Sequence, residues 1–354
     1  MSRLSPVAFA IPGDLDTPTG GYAYDRRVIA SLRSEGREVS YLRLGDSFPH
    51  PTAADQSDAT EQLRSLPASM PVIVDGLALG ALEPAALEQV SAPIIALVHH
   101  PLAFEGNLDE RRRDELLSSE RMNLARSSAV IVTSPATARL LVDQYGVNPD
   151  DITIAVPGTD RPATPHHPSY PPLILSVGSH THRKGHDVLL DALAQMVDLS
   201  WEALIVGSAR DREYTEQLEA IRQADGLTHL VTMSGALGAD ELEALYARAT
   251  VFALATRFEG YGMVFAEAMA HGLPIVSCDT GAVAETIAPG AGLLTAPDDP
   301  EAFAEALRSV LTDAHLRSSL ASASRTAGEA LPSWQDTAGI IAAVIDQLEG
   351  HGDD

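Results

Sequence analysis

The sequence predicts an α/β protein made of two doubly wound, Rossmann-like domains facing a central cleft, and three observations predict it. From the N-terminus, apolar runs of strand length alternate with longer segments of helical period. Five prolines, Pro162, Pro165, Pro168, Pro171 and Pro172, then fall close together, where fixed φ and a missing N–H bar a helix interior or a central strand. The same alternation restarts at Leu173. Short buried strands separated by helices make parallel sheets covered on both faces.

In order, Val7 to Ile11 reads as a buried strand, Tyr22 to Ser34 as an amphipathic helix and Val39 to Leu44 as a second strand. Strands follow at Val72 to Val74, Ile94 to Val98, Ala129 to Val132 and Ile152 to Val156, with helices around 82–90, 108–127 and 135–145. After the prolines come strand Leu173 to Val177, helix Gly185 to Met196, strand Ala203 to Val206 and helix Tyr214 to Ala224. Strands near Leu230 to Met233, Val251 to Leu254 and Pro274 to Ser277, with helices at 240–248 and 263–271, complete the second unit. Trp334 to Leu348 is a last amphipathic helix. The expected organisation is residues 1–160, a linker at 161–172, a second domain at 173–330, and a C-terminal helix at 331–354 that packs back on the first domain. Ligands of such sheets bind beyond the carboxyl ends of the strands.

The 354 residues carry 49 acidic and 24 basic side chains, a formal charge of −25. That surplus repels phosphate backbones, so nucleic acid is not an expected partner. Hydrophobic residues at 45% supply two cores and exclude disorder. The single cysteine, Cys278, cannot form an internal disulfide or a thiolate metal cluster, which fits a reducing compartment. No apolar run approaches the roughly 20 residues that span a bilayer, and a cytoplasmic location is expected.

The sharpest chemical signal is the run from Arg257 to Pro274, R-F-E-G-Y-G-M-V-F-A-E-A-M-A-H-G-L-P. Glu259 and Glu267 lie eight positions apart, around a glycine-containing turn that opens a helix directly after a strand. Gly260 and Gly262 let backbone N–H groups approach a ligand, and the helix start at Gly262, Met263 and Val264 suits a phosphate or sugar oxygen. Either acid could instead simply complement a helix dipole. Against that, Glu267 sits in an apolar stretch where an unpartnered carboxylate is costly.

The spacing in E-G-Y-G-x-V-x-x-E-A-M-A-x-G-x-P-I-V resembles the retaining nucleotide-sugar glycosyltransferases of the GT-B fold, specifically glycosyltransferase family 4. Further segments resemble it in the expected order. Thr17 to Tyr22, with Gly20 and Gly21, is similar to the family's glycine-rich loop against the donor diphosphate; it matches neither a dinucleotide fingerprint nor a Walker loop. Gly178 to Asp187 is similar to its R-x-x-K-G segment, so that Lys184 neutralises the leaving diphosphate; Ser179 stands where an arginine is usual, so the second cation is Arg183 or is lost. His99, in Val98-His99-His100-Pro101, aligns with a histidine beside the sugar's reacting carbon. Thr280 to Thr286 resembles a G-G-x-x-E element in which Ala282 replaces the second glycine, leaving Glu285 a weak candidate. His180, His182 and His186 fit no metal spacing and read as solvated, and Asp14-Leu15-Asp16 reads as a solvated loop.

The resemblance implies sugar transfer from a nucleoside diphosphate sugar, UDP first and GDP second, to an acceptor hydroxyl with retention. His99, Lys184 and Glu259 would be catalytic. Gly20 and Gly21 of the first domain, with Arg183, Lys184, Glu259, Gly260, Tyr261, Gly262, Met263, Val264 and Glu267 of the second, the donor domain, would bind the donor. No cofactor or metal is expected. The acceptor, a lipid, glycan or small molecule, belongs to the first domain, with a lipid-linked or polysaccharide hydroxyl favoured. The arginines 26, 27, 33 and 37, and 111 to 113, would allow weak peripheral contact with an anionic membrane. A nucleotide-sugar epimerase or hydrolase, or a non-catalytic nucleotide-sugar binding subunit, are the alternatives.

Overall fold

Among the described residues, twelve β-strands assemble into two six-stranded sheets, and every strand pair is parallel. The computed structural model of the chain describes residues 4–105 and 108–349. The chain divides into two compact units, Met1–Gly158 with Pro332–Asp354, and Thr159–Leu331.

The first unit holds β1 (Val7–Pro12), β2 (Val39–Leu44), β3 (Val72–Asp75), β4 (Ile94–Val98), β5 (Ala129–Val132) and β6 (Ile152–Ile154), in the order β2-β1-β3-β4-β5-β6. Strands β1, β3 and β4 are buried along their whole length, which explains their continuous apolar runs. The order reverses between β1 and β3, so the loops after these strands open a crevice at the carboxyl edge. Helix Gly20–Ser34 begins two residues earlier than the periodicity suggests. Gly20 and Gly21 therefore form its first turn, behind Thr19 at the N-cap, and are not a free loop. The expected helix at 82–90 is a single turn, Pro84–Leu87, and 135–145 splits into Pro135–Leu140 and a wider turn, Leu141–Tyr145, stopped by left-handed Gly146.

Helix Trp334–Glu349 belongs to this first unit. Trp334 packs edge-on against Tyr24 at 5.8 Å and lies under the Arg27 guanidinium at 5.4 Å. Thr337 donates to the carbonyl of Val156, and buried Arg37 reaches Asp346 at 2.7 Å.

The second unit holds β7 (Leu173–Val177), β8 (Glu202–Val206), β9 (Val231–Ser234), β10 (Val251–Leu254), β11 (Ile275–Cys278) and β12 (Gly292–Thr295), ordered β12-β11-β10-β7-β8-β9. Its period-2 side chains split cleanly. Ile174, Ala203, Ile205, Ala253, Val276 and Cys278 face one core, with Leu189 and Leu193. Leu175, Val206, Phe252, Leu254 and Ile275 face the other, with Phe265 and Met269. Here the order reverses between β7 and β10.

The segment expected as a linker is instead part of the second unit. Its backbone is fastened to helix Ala239–Arg248: Ala163 and Thr164 N–H both reach Glu243 at 2.9 Å, and His167 and Ser169 N–H bond the carbonyls of Ala247 and Arg248. Proline bars regular structure here, but side-chain and loop hydrogen bonds still hold the segment in place.

Candidate active site

In the second unit, the turn after β7 and the loop after β10 meet at the point where strand order reverses. His182–Lys184 forms one 3-10 turn closed by Gly185 at φ 62°. Thr256 donates toward the Arg183 carbonyl at 3.0 Å, and the Arg257 N–H bonds the same oxygen at 2.8 Å. The Arg257 guanidinium grips Asp187 at 2.9 and 2.8 Å, Asp298 at 2.7 Å and the His182 carbonyl at 2.5 Å. A fork of this kind sets both position and orientation, so the two loops behave as one piece.

Within that piece Glu259 lies between two cations. Lys184 Nζ is 2.5 Å from one carboxylate oxygen and Arg183 Nη1 is 3.3 Å from the other, while Thr256 sits 3.1 Å from the first. Only 12% of the Lys184 side chain and 6% of the Glu259 side chain are exposed. Burial alone would raise the Glu259 carboxyl, but the Lys184 and Arg183 charges outweigh it and hold the group below the ordinary range. Arg183, Lys184 and Glu259, named from the sequence, are thus brought together, and Thr256 and Arg257 join them.

Glu267 is held on the next turn. Gly262, left-handed at φ 86°, starts helix Met263–Ala270, whose first turn carries no acid. The Tyr246 hydroxyl donates to Glu267 at 2.8 Å, and burial pushes the Glu267 carboxyl up. The Tyr246 ring stacks on His271 at 5.2 Å, and His271 faces Glu243 at 3.1 Å. Gly260 is buried; Tyr261 is partly so and accepts a hydrogen bond from Thr286 through its carbonyl. Gly281 lies against the Glu259 backbone, and Ala282 is fully buried with its N–H on the Glu259 carbonyl at 2.9 Å. Glu285 is exposed.

In the first unit, Gly20, Gly21 and His99 share the crevice at the β1/β3 reversal. Gly21 contacts the His99 ring, which Tyr24 meets edge-on at 5.1 Å. His99 Nε2 lies 3.3 Å from Asp25 and 3.5 Å from Asp75, both buried. Burial opposes the charge on His99, but the two carboxylates prevail and raise it to about 10; burial pushes Asp25 up, against His99. Sequence reasoning missed both acids. Two carboxylates and one imidazole within 4.8 Å of one another have the composition of a divalent-cation site.

One reading needs correction. His180 and His186 are buried, not solvated; the His186 ring bonds the Gly178 carbonyl at 3.1 Å and burial pushes it down to about 3. The first arginine cluster is largely engaged internally: Arg26 on the carbonyls of Leu15 and Thr17, Arg33 on Val39, Arg37 on Ser5 and Asp346. Arg111 and Arg112 pair with Glu115. Asp14 and Asp16 are exposed. Among the described residues no helix is long and apolar enough to cross a membrane.

Two six-stranded parallel sheets, each with polar side chains gathered at its reversal point, define a GT-B α/β protein. The Glycosyltransferase Family 4 model matches residues 26–161 and the Glycosyl transferases group 1 model matches residues 160–327. The chain belongs to glycosyltransferase family 4. It is 27% identical over 282 residues to a D-inositol 3-phosphate glycosyltransferase of Thermobifida fusca, covering 72% of this chain and 65% of the relative. The chain spans less than two thirds of the length of the first curated relatives it matches. In fold it is similar to sucrose-phosphate synthase of Thermosynechococcus elongatus, with a TM-score of 0.82, 21% identity and coverage of 98% of this chain and 100% of the other. Anabaena HepE in complex with UDP-glucose gives 0.79, 18%, 97% and 99%.

Proposed function

We propose that the protein transfers a hexosyl group, with retention and without a metal, from a nucleoside diphosphate sugar to an acceptor hydroxyl. The observation that carries this reading is the Arg183–Lys184–Glu259 cluster at the carboxyl edge of β7 and β10. A diphosphate entering there meets an ammonium and a guanidinium already oriented by Arg257 and Thr256. Those cations can follow the negative charge that grows on the leaving phosphate. Exchanging Glu259 for phosphate on Lys184 frees a carboxylate to accept from sugar hydroxyls. Glu267, steadied by Tyr246, takes the ribose hydroxyls, and the amides at 262–264 take a phosphate oxygen. His99 interacts with a sugar hydroxyl, and the leaving phosphate itself accepts the acceptor's proton.

UDP is proposed as the donor nucleotide ahead of GDP; the UDP-glucose complex of Anabaena HepE favours the same order. The acceptor proposed is a lipid-linked or polysaccharide hydroxyl, and the named relative adds inositol phosphate to the compounds to test. The test is a panel of UDP-, GDP- and ADP-sugars incubated with inositol phosphates, oligosaccharides and a lipid extract, with NMR of the product's anomeric configuration. Acceptor-dependent product with retained configuration supports the reading. Sugar release or isomerisation indifferent to every acceptor would assign a hydrolase or epimerase, and tight nucleotide binding without turnover a binding subunit.

A further inference from the structure

The first-unit crevice holds a histidine whose ring is oriented by more than a ligand contact requires. Nε2 of His99 is turned inward, 3.3 Å from Asp25 Oδ1 and 3.5 Å from Asp75 Oδ2. Asp25 is buried in helix Gly20–Ser34, and its second oxygen has no hydrogen-bond partner among the described residues. Asp75, at the end of β3, uses its other side to accept the Leu77 N–H at 2.8 Å. Tyr24 closes one edge of the ring, its own hydroxyl donated to the Ala155 carbonyl. Gly21 covers another side, where an added Cβ would lie 3.3 Å from the ring. The Thr133 hydroxyl holds the His99 carbonyl at 3.3 Å. The side chain is 17% exposed, and Nδ1 has no partner among the described residues. A ligand therefore finds Nδ1 available and Nε2 enclosed.

Resting on the glycosyltransferase reading for its ligand, we infer that Asp25 and Asp75 are positioning residues that fix His99 as a cation presenting Nδ1–H outward, so that it donates to a sugar hydroxyl or phosphate oxygen and does not act as a base. An imidazole with both nitrogens protonated has no lone pair to accept a proton. Burial opposes its charge, yet the hydrogen bonds and charges of Asp25 and Asp75 raise the ring well above the ordinary histidine range. Arg26 is the other charged group acting on Asp25, and Tyr24 is held by a backbone oxygen. The arrangement turns a group that ordinarily titrates near neutrality into a fixed donor.

The test is histidine-selective 15N NMR from pH 6 to 9, with the His99 signals identified by their loss in His99→Asn, beside pH–rate profiles on the best donor. The wild-type ring is expected to keep both protons across that range. In Asp25→Asn it should titrate near the ordinary value. The rate relative to wild type should then fall roughly twentyfold between pH 6 and 8, as a pKa of about 6.5 dictates. Asp25→Glu should restore the flat profile. Asp75→Asn is the second variant, because an amide oxygen still accepts the Leu77 N–H, and it should shift the ring in the same direction. A wild-type ring that is neutral at pH 7 would overturn the inference, as would unchanged titration and rate profile in both asparagine variants. Broadening of the wild-type His99 signals by micromolar Mn2+, abolished in Asp25→Asn, would overturn it in favour of a cation site. Absence of turnover on every nucleotide sugar would sink the glycosyltransferase reading alone, since the NMR arm decides the His99 question without turnover.

Discussion

The two units place opposite electrostatic arrangements at equivalent points of their sheets. In the first, a cation sits between two carboxylates, His99 between Asp25 and Asp75. In the second, a carboxylate sits between two cations, Glu259 between Arg183 and Lys184. With every group ionised, the first trio sums to one negative charge and the second to one positive charge. On the reading proposed above, the difference in sign separates their roles: the second trio attracts a diphosphate, while the first offers no net positive charge and presents a single outward N–H. The same reversal of strand order thus creates both crevices, and the side chains delivered to each decide its ligand.

The largest predicted effect tests the positive trio. Lys184→Ala should lower donor turnover about 10²- to 10³-fold, the size of loss expected when one oriented group is removed from developing charge. Initial rates on the active nucleotide sugar measure it, and a loss under fivefold would contradict the assignment. Glu259→Ala should be as inactive and also less stable by about 3–5 kcal/mol, because it leaves two largely buried cations without their anion. Urea titration of the two variants separates these effects.

Next in size is the backbone beneath the trio. At Gly281, φ 54°, an added Cβ would collide with the Glu259 carbonyl oxygen and lie 2.9 Å from its nitrogen. Neither is a side-chain end that can swing away. Gly281→Ala should displace Glu259 by up to about 1 Å and lower activity on the order of 10²-fold, with about 1–3 kcal/mol of stability. A variant with wild-type kinetics would show that the Glu259 backbone position does not matter.

The two arrangements differ in how much of each the sequence discloses. The second unit's trio is legible because its parts lie in two short motifs, each directly after a buried strand, and glycines 260, 262 and 185 announce the turns. What joins the motifs is less visible. Arg257 and Asp187 are far apart in the chain and look like surface charges until the fold closes the fork between them. In the first unit His99 and Gly21 stand out, but Asp25 reads as a helix acid beside Arg26. Its place on the face of Tyr24, Val28 and Ile29 was the available signal, since an ionisable group there is buried with the apolar side chains. Asp75 ends a strand at the reversal point, which fold rules could have marked once strand order was known. Strands and helices were recovered to within a few residues where burial was continuous. Helix Ala53–Arg64, strand β12 and helices Pro300–Thr312 and Ala314–Ala330 were not anticipated. Helix Ala53–Arg64 buries only Ala59 and Leu63, so its periodicity is faint.

Histidine titration sharpens the comparison at a smaller scale. His99 is raised to about 10 in the folded chain, so its contribution is fully present below about 6.5 and is lost as pH rises toward 10, while the unfolded chain has already released the proton. His186 is depressed to about 3, so its contribution is present above about 6.5 and is lost as pH falls toward 3, where the unfolded chain binds a proton that the core refuses. Neighbouring His180, also lowered by burial, acts with the same sign. Each group contributes a slope of about 1.4 kcal/mol per pH unit within its window. Urea unfolding across pH 5 to 9 should show the acid limb weakened in His186→Gln, whose amide can still donate to Gly178, and the alkaline limb weakened in His99→Gln. Parallel curves for wild type and either variant would remove that histidine from the account.

The smallest effect belongs to the glycine on the other side of the comparison. Gly21→Ala puts a Cβ 3.3 Å from His99 Cδ2 at an ordinary helical φ, so the ring need give only a few tenths of an ångström. Alanine also removes glycine's conformational cost in a helix, about 0.5–1 kcal/mol, which offsets the crowding. Melting temperature should therefore stay near the wild-type value. The crowded ring, however, carries its outward N–H with it, and misplacement of an ångström can cost about 10²-fold, so a few tenths should reduce turnover by a few-fold. A rate unchanged within error would mean that the orientation of His99 tolerates that shift. A loss as deep as that of Gly281→Ala would mean that the negatively charged crevice is positioned as tightly as the positive one.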